Sequence, residues 1–385
     1  MRERRQDVIA RPKPIAVDLF CGAGGISLGF EQAGFDVVAA FDFEPRHIAT
    51  YQTNFPKTRA CTVDLAAASG KHLRDLAGLG SRPIDVLFGG PPCQGFSVGG
   101  RRDLADPRNQ LMLHFARLVR ELRPGYFVVE NVEGLMLGRA RMIVQSFVDR
   151  VRKANYSVVE PITVLDAASF GVPQRRRRTF ILGYRRSLPP PGYPKPAGVF
   201  DEDGRERFPI VRDAIGDLPR VEDYPDLFDK DGFYGRLGPP NYYARLLRVD
   251  TTETSGRFEP DPRAALPLTG CLRTRHSLAI VRRFRQTKPG SAEPVSRFLR
   301  LNPNGVAPTI RAGTGSDHGS HTAPRPIHPY EPRCITVREA ARLHSFPDWF
   351  RFDATRWHAF RQIGNSVPPM LARAVAASLL KSVAD

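Results

Sequence analysis

Ile15-Ala16-Val17-Asp18-Leu19-Phe20-Cys21-Gly22-Ala23-Gly24-Gly25 decides the fold of this chain. Its first six residues are a short apolar run of the kind a buried strand needs, interrupted by a single aspartate. The glycines that follow make a tight turn, and Ile26 to Ala33 then keeps helical spacing until Gly34 closes it. Strand, glycine turn and helix in that order form the opening unit of an alternating α/β fold.

The same rhythm continues outward to about residue 184. Val37-Val38-Ala39-Ala40-Phe41 and Ile84-Asp85-Val86-Leu87-Phe88 read as strands, as do Tyr126-Phe127-Val128-Val129 and Thr179-Phe180-Ile181-Leu182. Between them, Met112, Phe115, Ala116, Val119 and Leu122 keep helical spacing up to Pro124, and Met142, Ile143, Phe147 and Val151 mark a further helix. A doubly wound, mostly parallel, Rossmann-like sheet is expected. After Tyr184 the texture changes. Ser187 to Pro196 holds five prolines and reads as an extended crossing, and no periodic stretch stands out from there to about residue 330. Thr336-Val337-Arg338-Glu339 is a capping box, and the last helix starts at Pro368-Pro369 and runs through Leu371, Val375 and Leu379. The expected organisation is a basic leader (1–14), a discontinuous catalytic domain (15–184 with 356–385) and a smaller, loop-rich domain (185–355).

Composition narrows the function. The chain has 385 residues, 41% hydrophobic and 25% charged, which is globular composition. No apolar run approaches the ~20 residues of a membrane span, and the charged N-terminus leads into no signal core. Five scattered cysteines without a CxxC pair argue against a disulfide framework or a metal site and fit a reducing cytoplasm. Lys and Arg total 57 against 40 Asp and Glu, a formal +17, and only eight of the cations are lysine. Such a surplus suits phosphate-backbone binding; it equally suits an arginine-rich composition spread over solvated faces.

Position carries more information than charge. Asp18 and the Gly22, Gly24 and Gly25 turn, Asp42, the Pro91-Pro92-Cys93 run and Glu130-Asn131 each stand at or just after a strand. In an open parallel sheet these strand ends share one edge, where ligands bind. A glycine turn with Asp42 eighteen residues beyond Gly24 suits a ribose-bearing cofactor, although Ser27 stands where a dinucleotide fingerprint has its third glycine. By itself the turn can also be only a turn. Prolines and glycines around Cys93 hold a thiol rigidly within reach of a ligand and are poor core surroundings, so Cys93 is read as a nucleophile. The other four cysteines are read as small buried hydrophobes. Glu130, partly dehydrated at a strand end, can give or share a proton, or else cap the following turn. In Gln174-Arg175-Arg176-Arg177-Arg178, alternate residues share a face, so Arg176 and Arg178 are expected in the cleft and Arg175 and Arg177 in solvent.

These residues, taken in order, resemble the DNA (cytosine-5) methyltransferase family. Asp18 to Gly25 resembles its first motif, Pro91-Pro92-Cys93-Gln94 its catalytic loop and Glu130-Asn131-Val132 the motif with the catalytic glutamate. Gln174 to Arg178 is similar to its Gln-x-Arg-x-Arg element. Arg338-Glu339-Ala340-Ala341-Arg342-Leu343 with Phe346-Pro347 resembles the ninth motif, and Gly364-Asn365-Ser366-Val367 the tenth. The loop-rich region falls where the family keeps its target-recognition domain.

The resemblance implies S-adenosylmethionine as cofactor. Phe20 and Phe43 would then flank the adenine, Asp42 hold the ribose and Asp64 meet the adenine amino group. Gly22, Gly24, Gly25 and Pro91 would line the site, with Asn365 and Ser366 closing it. It also implies a mechanism: Cys93 adds to carbon 6 of a flipped-out cytosine, Glu130 holds or protonates N3, and carbon 5 takes the methyl group. Arg176 would bind the base, while Arg178 and Gln94 order the loop. The implied partner is double-stranded DNA, with a restriction endonuclease or phage-defence system in the same cytoplasm, and the enzyme acting as a monomer. Two alternatives are a transfer-RNA cytosine methyltransferase, whose usual Cys-Phe-Thr tripeptide is absent, and an inactive DNA-binding homologue, against which an intact Cys93, Glu130 and glycine loop argue.

Overall fold

The computed structural model describes residues 12–92, 110–138, 140–248, 267–313 and 325–384. The opening unit forms as the sequence predicts: β1 (Ile15–Leu19) passes through the glycine turn into α1 (Gly25–Ala33), which Gly34 terminates in a left-handed conformation. There follow β2 (Asp36–Asp42), α2 (Pro45–Asn54), β3 (Arg59–Thr62), α3 (Gly70–Ala77), β4 (Val86–Gly89), α4 (Leu111–Leu122), β5 (Tyr126–Val132) and α5 (Ala140–Lys153). Then come β6 (Tyr156–Val158), β7 (Thr163–Asp166) and β8 (Arg177–Arg185).

The strand order is β3-β2-β1-β4-β5-β8-β6, with β7 also paired to β8. All neighbours from β3 to β5 are parallel, whereas β8 runs antiparallel to β5, β6 and β7. The order reverses between β1 and β4, where Leu19 pairs with Gly89. The carboxyl ends of these two strands therefore flank the crevice in which doubly wound sheets bind ligands.

Strand periodicity sorts side chains into two helical layers. Val17, Leu19, Leu87, Phe127 and Val129 join the core under α3, α4 and α5, while Ala16, Val86, Phe88, Tyr126 and Val128 join the core under α1 and the final helix. That final helix, far away in sequence, seats closely on α1. A Cβ on Gly29 would lie 2.5 Å from both the Ala372 Cβ and the Arg373 backbone nitrogen, so only glycine permits the approach. The proline-rich stretch is an extended crossing over the same helix: Ser378 donates to the Gly192 carbonyl and Tyr193 to that of Phe180.

Beyond it, the chain is mostly irregular. It carries a two-stranded ribbon of β9 (Val199–Phe200) and β10 (Glu206–Arg207), and the short helices α6 (Val211–Ile215), α7 (Tyr242–Arg248) and α8 (Leu278–Gln286). These are joined by α9 (Val337–Leu343), α10 (Arg356–Asn365) and α11 (Pro369–Ala384). The capping box at Thr336 and Glu339 forms as the sequence predicts. One hydrophobic core unites residues of α6, α7, α9 and α10 with Ile48, Tyr51 and Phe55 of the α2 region. Among the described residues no helix is long and apolar enough to cross a membrane.

Candidate active site

The glycine turn and the end of β2 form one wall. Gly22 donates its N–H to Asp42 Oδ2 at 2.9 Å, while Glu44 N–H and His47 Nδ1 approach Asp42 Oδ1 at 2.9 and 3.0 Å. Burial would raise the Asp42 carboxyl, but the His47 bond and charge and the backbone donors outweigh it and hold the group below its ordinary value. Phe43, next along, leaves 73% of its surface exposed, unusual for a phenylalanine at a strand end. Among the described residues, a Cβ on Gly22 would meet nothing within 4 Å. Phe20, half-buried at a positive φ of 63°, bends the chain out of β1. Gly24, at φ 96°, lies so close to Phe55 that a Cβ would sit 2.3 Å from its ring.

Behind the turn, Asp18 is fully buried. Ser27 donates to its Oδ2 at 2.6 Å and Tyr51 to Ser27 at 2.7 Å, while Asp18 Oδ1 has no hydrogen-bond partner among the described residues. Burial, with Asp42 nearby, holds this carboxyl well above its usual range. Asp64 follows β3 as an exposed residue whose Oδ1 accepts from Ala66 N–H. It stays near Asp42, because Val63 N–H bonds the Asp42 carbonyl. The tenth-motif segment also reaches this wall: a Cβ on Gly25 would lie 2.5 Å from the Val367 carbonyl and 3.0 Å from Ser366 Cβ. Asn365 is exposed, and Ser366 is half-buried.

The opposite wall is built from β4, β5 and β8. Glu130 and Asn131 are expected just past the end of their strand; the structure places them inside it. β5 runs on to Val132 because β8 pairs alongside, with Glu130 opposite Phe180 and Asn131 opposite Thr179. Asn131 Nδ2 donates to the Pro91 carbonyl at 3.0 Å, which ties Pro91 to β5. Cys93 and Gln94 lie outside the described residues. The preceding Gly90 packs against Glu130, for a Cβ there would lie 2.8 Å from Glu130 Oε2. Burial raises the Glu130 carboxyl, and the Arg178 and Arg176 charges only partly oppose it.

The two arginines divide differently from the expectation. Arg178, opposite Val132 in the ladder, places its Nε 2.9 Å from Glu130 Oε1. Arg176, expected against the base, is fully buried with its two terminal nitrogens spent on main-chain carbonyls: Ile310 at 3.1 Å, and Gly364 and Ser366 both at 2.7 Å. The reason is positional. Arg176 precedes β8, with its own N–H bound by Asp166 Oδ1, so its side chain meets the returning chain rather than the ladder. Arg175 and Arg177 are exposed, as alternation predicts.

Sequence reasoning missed a set of buried charges around α9. Arg333 forks onto both Glu339 oxygens at 2.9 and 2.8 Å and reaches Glu331 at 2.6 Å. Arg342 joins Asp217 to Asp348. Arg338 donates to the carbonyls of Thr269, Pro347 and Phe350. The available signal is Arg338-Glu339 and Arg342 inside a seven-residue helix otherwise built of Val, Ala and Leu.

The model of the C-5 cytosine-specific DNA methylase family matches residues 16–381. A type II methyltransferase, M.XorII of Xanthomonas oryzae pv. oryzae, is 50% identical over 374 residues, covering 96% of this chain and 85% of the relative. M.AgeI of Thalassovita gelatinovora is 32% identical across 94% of this chain and 98% of its own. A crystal structure of a putative DNA modification methyltransferase encoded within an Escherichia coli prophage superposes with a TM-score of 0.77 at 32% identity, over 97% of this chain and all of the other. At 17% identity the Schizosaccharomyces pombe Dnmt2 methyltransferase shares the fold, with a TM-score of 0.58 over 96% and 99% of the two chains. With the match extending over nearly the whole sequence, this chain belongs to the C-5 cytosine-specific DNA methylase family and is a DNA (cytosine-5) methyltransferase.

Proposed function

We propose that the chain transfers a methyl group from S-adenosylmethionine to carbon 5 of a cytosine flipped out of a specific duplex DNA sequence, through a covalent Cys93 adduct at carbon 6. The observation that carries this reading is the joint between Asn131 and the Pro91 carbonyl, with Gly90 against Glu130: it ties the segment leading to Cys93 to the carboxyl beside which a pyrimidine must lie.

The wall at Asp42 suits the cofactor. An exposed aromatic face at Phe43, a Gly22 that no described residue crowds, and a carboxylate with hydrogen-bonding capacity at Asp42 fit an adenosine. Behind the turn, one Asp18 oxygen is left without a hydrogen-bond partner among the described residues. Phe20 and Phe43 would flank the adenine, Asp42 would hold the ribose, Asp64 would meet the adenine amino group, and Pro91 with Asn365 and Ser366 would complete the enclosure. When bound, S-adenosylmethionine supplies an electrophilic methyl group on a sulfonium.

The rest falls to side chains. The Cys93 thiolate adds to carbon 6, and Glu130 places a proton or hydrogen bond on N3, so the electron pair moves toward carbon 5. A raised proton affinity fits Glu130 for that role. Arg178 orients its carboxyl, and Gln94 would order the loop around the base. After methylation, loss of the carbon 5 proton expels Cys93. Unstacking the cytosine costs about a few kcal/mol, which contacts between the arginine surplus and phosphates offset. A DNA duplex is the substrate in this reading, and the type II relatives point to a cognate restriction endonuclease as the biological partner.

Transfer of labelled methyl from S-adenosylmethionine to mixed-sequence duplex DNA, followed by bisulfite sequencing, tests the proposal. Label should enter DNA and vanish with Cys93→Ala while DNA binding survives and weakens steeply with salt. Turnover that survives Cys93→Ala sinks the mechanism. Label confined to transfer RNA would favour the other substrate.

A further inference from the structure

Three fully buried polar side chains, Gln174, Arg176 and His344, meet where the carboxyl end of α9 faces the segment leaving α10. Their hydrogen bonds fix each other's protonation. Gln174 Oε1 accepts from Ile310 N–H at 3.1 Å, so its Nε2 is the donor toward the Leu343 carbonyl at 3.2 Å and His344 Nδ1 at 3.0 Å. His344 Nδ1 is then an acceptor, and the ring proton sits on Nε2, which lies 3.0 Å from the Ser366 carbonyl. Burial, with Arg176 beside it, holds the imidazole neutral.

The segment so held is Gly364-Asn365-Ser366. Arg176 clamps the carbonyls on both sides of Asn365, and His344 adds a second donor to Ser366. Gly364 is pressed against the backbone of Ala312, 2.4 Å from where a Cβ would stand, so this stretch cannot shift toward that strand of chain. The Asn365 side chain, between two clamped carbonyls, is itself exposed. Main chain held rigidly around a free polar side chain is the design of a ligand contact rather than of a core.

We propose that His344 is a positioning residue for methyl transfer: through Gln174 and Ser366 it sets the backbone from which Asn365 and Ser366 close the cofactor site. This rests on the assignment of Asn365 and Ser366 to that site. His344 touches no substrate and acts only through the chain it holds. Its removal is tolerable to the fold, because the Ser366 carbonyl keeps Arg176 and Gln174 keeps the Leu343 carbonyl.

The experiment is steady-state kinetics on the full chain for His344→Leu, His344→Gln and Asn365→Ala, with thermal unfolding alongside. Leucine fills the space without donor or acceptor, and KM for S-adenosylmethionine should rise about tenfold, the loss of two neutral hydrogen bonds, with kcat and KM for DNA within about twofold. Glutamine offers an amide oxygen to Gln174 and an N–H to Ser366, and should restore the cofactor KM to within about threefold. If the leucine variant fails to fold, His344→Asn, too short to reach both partners, should give the same rise. A cofactor KM unmoved in His344→Leu but raised in Asn365→Ala overturns the role of His344 alone; a lower melting temperature without a KM change does so as well. If neither variant moves the cofactor KM, the assignment of the 364–366 segment fails, and the inference with it.

Discussion

Glu130 and Glu339 are both buried, at 8% and 3% exposed, yet their carboxyls lie on opposite sides of the ordinary value. Burial would raise both. At Glu339 it is overcome by the Arg333 fork, a His328 ring at 3.6 Å and the Thr336 N–H at 2.7 Å, and the group is pulled down to about 2. At Glu130 the opposition among the described residues is one contact from Arg178 Nε, with Arg176 acting only from a distance, and burial wins. The lesson is about how many donors are spent on a buried charge. A saturated carboxylate is fixed and inert; one left with unused capacity can still exchange a proton with a ligand.

The strongest test of that contrast is Glu130→Gln. Turnover should fall by about 10² to 10⁴, the usual worth of a positioned acid or base, while stability stays within about 1 kcal/mol. Equal losses of folding and activity would show that Glu130 is as structural as Glu339. Glu339→Ala should do the reverse. It takes the two-pronged partner from buried Arg333, which keeps Glu331, at a cost of about 2–3 kcal/mol in unfolding free energy, visible in urea titration. Any activity lost should return under conditions that restore folding.

Acid titration separates the two regions next. The His328 imidazole is buried, and with Arg333 and Arg300 nearby its proton affinity falls to about 4, despite the pull of Glu339. The unfolded ring takes a proton near ~6.5. Its contribution is therefore complete above that pH and is lost as pH falls toward 4, up to about 3 kcal/mol, with Glu339 following between ~4.3 and about 2. Melting temperatures from pH 7 to 4 should drop in the parent and flatten in His328→Gln; parallel curves would refute the assignment. Gly90→Ala is the mildest. Its methyl group must displace the end of Glu130, so kcat should fall about tenfold with about 1 kcal/mol of destabilisation at most. Unchanged kcat would mean that the position of Glu130 is not critical.

Much of this was legible in the sequence for a definite reason. Period-two strands, glycine turns and proline stops are local, so β1, β2, the turn at Gly22–Gly25 and the capping box at Thr336 form where the residues alone place them, while β4 starts at Val86 rather than Ile84. The common edge is also legible, since strand ends in a parallel sheet must converge. Other features are not local. The length of β5, and with it the placement of Glu130 inside the strand, depends on pairing with β8. In the irregular region, short helices such as α6 are stabilised by packing against α9 rather than by a periodic face of their own.

The sequence by itself determined the fold class, the order of the motifs and the residue types at the crevice, because those follow from short-range patterning and the geometry of strand ends. Only the tertiary structure decided which arginine serves Glu130, that Arg176 and His344 hold the segment around Asn365, and that the charges of α9 are saturated by partners as distant as Asp217. A charged side chain carries no record of its partner. Hydrogen bonds between residues more than a hundred positions apart exist only once the chain has closed on itself, and they fix which charges remain free for chemistry.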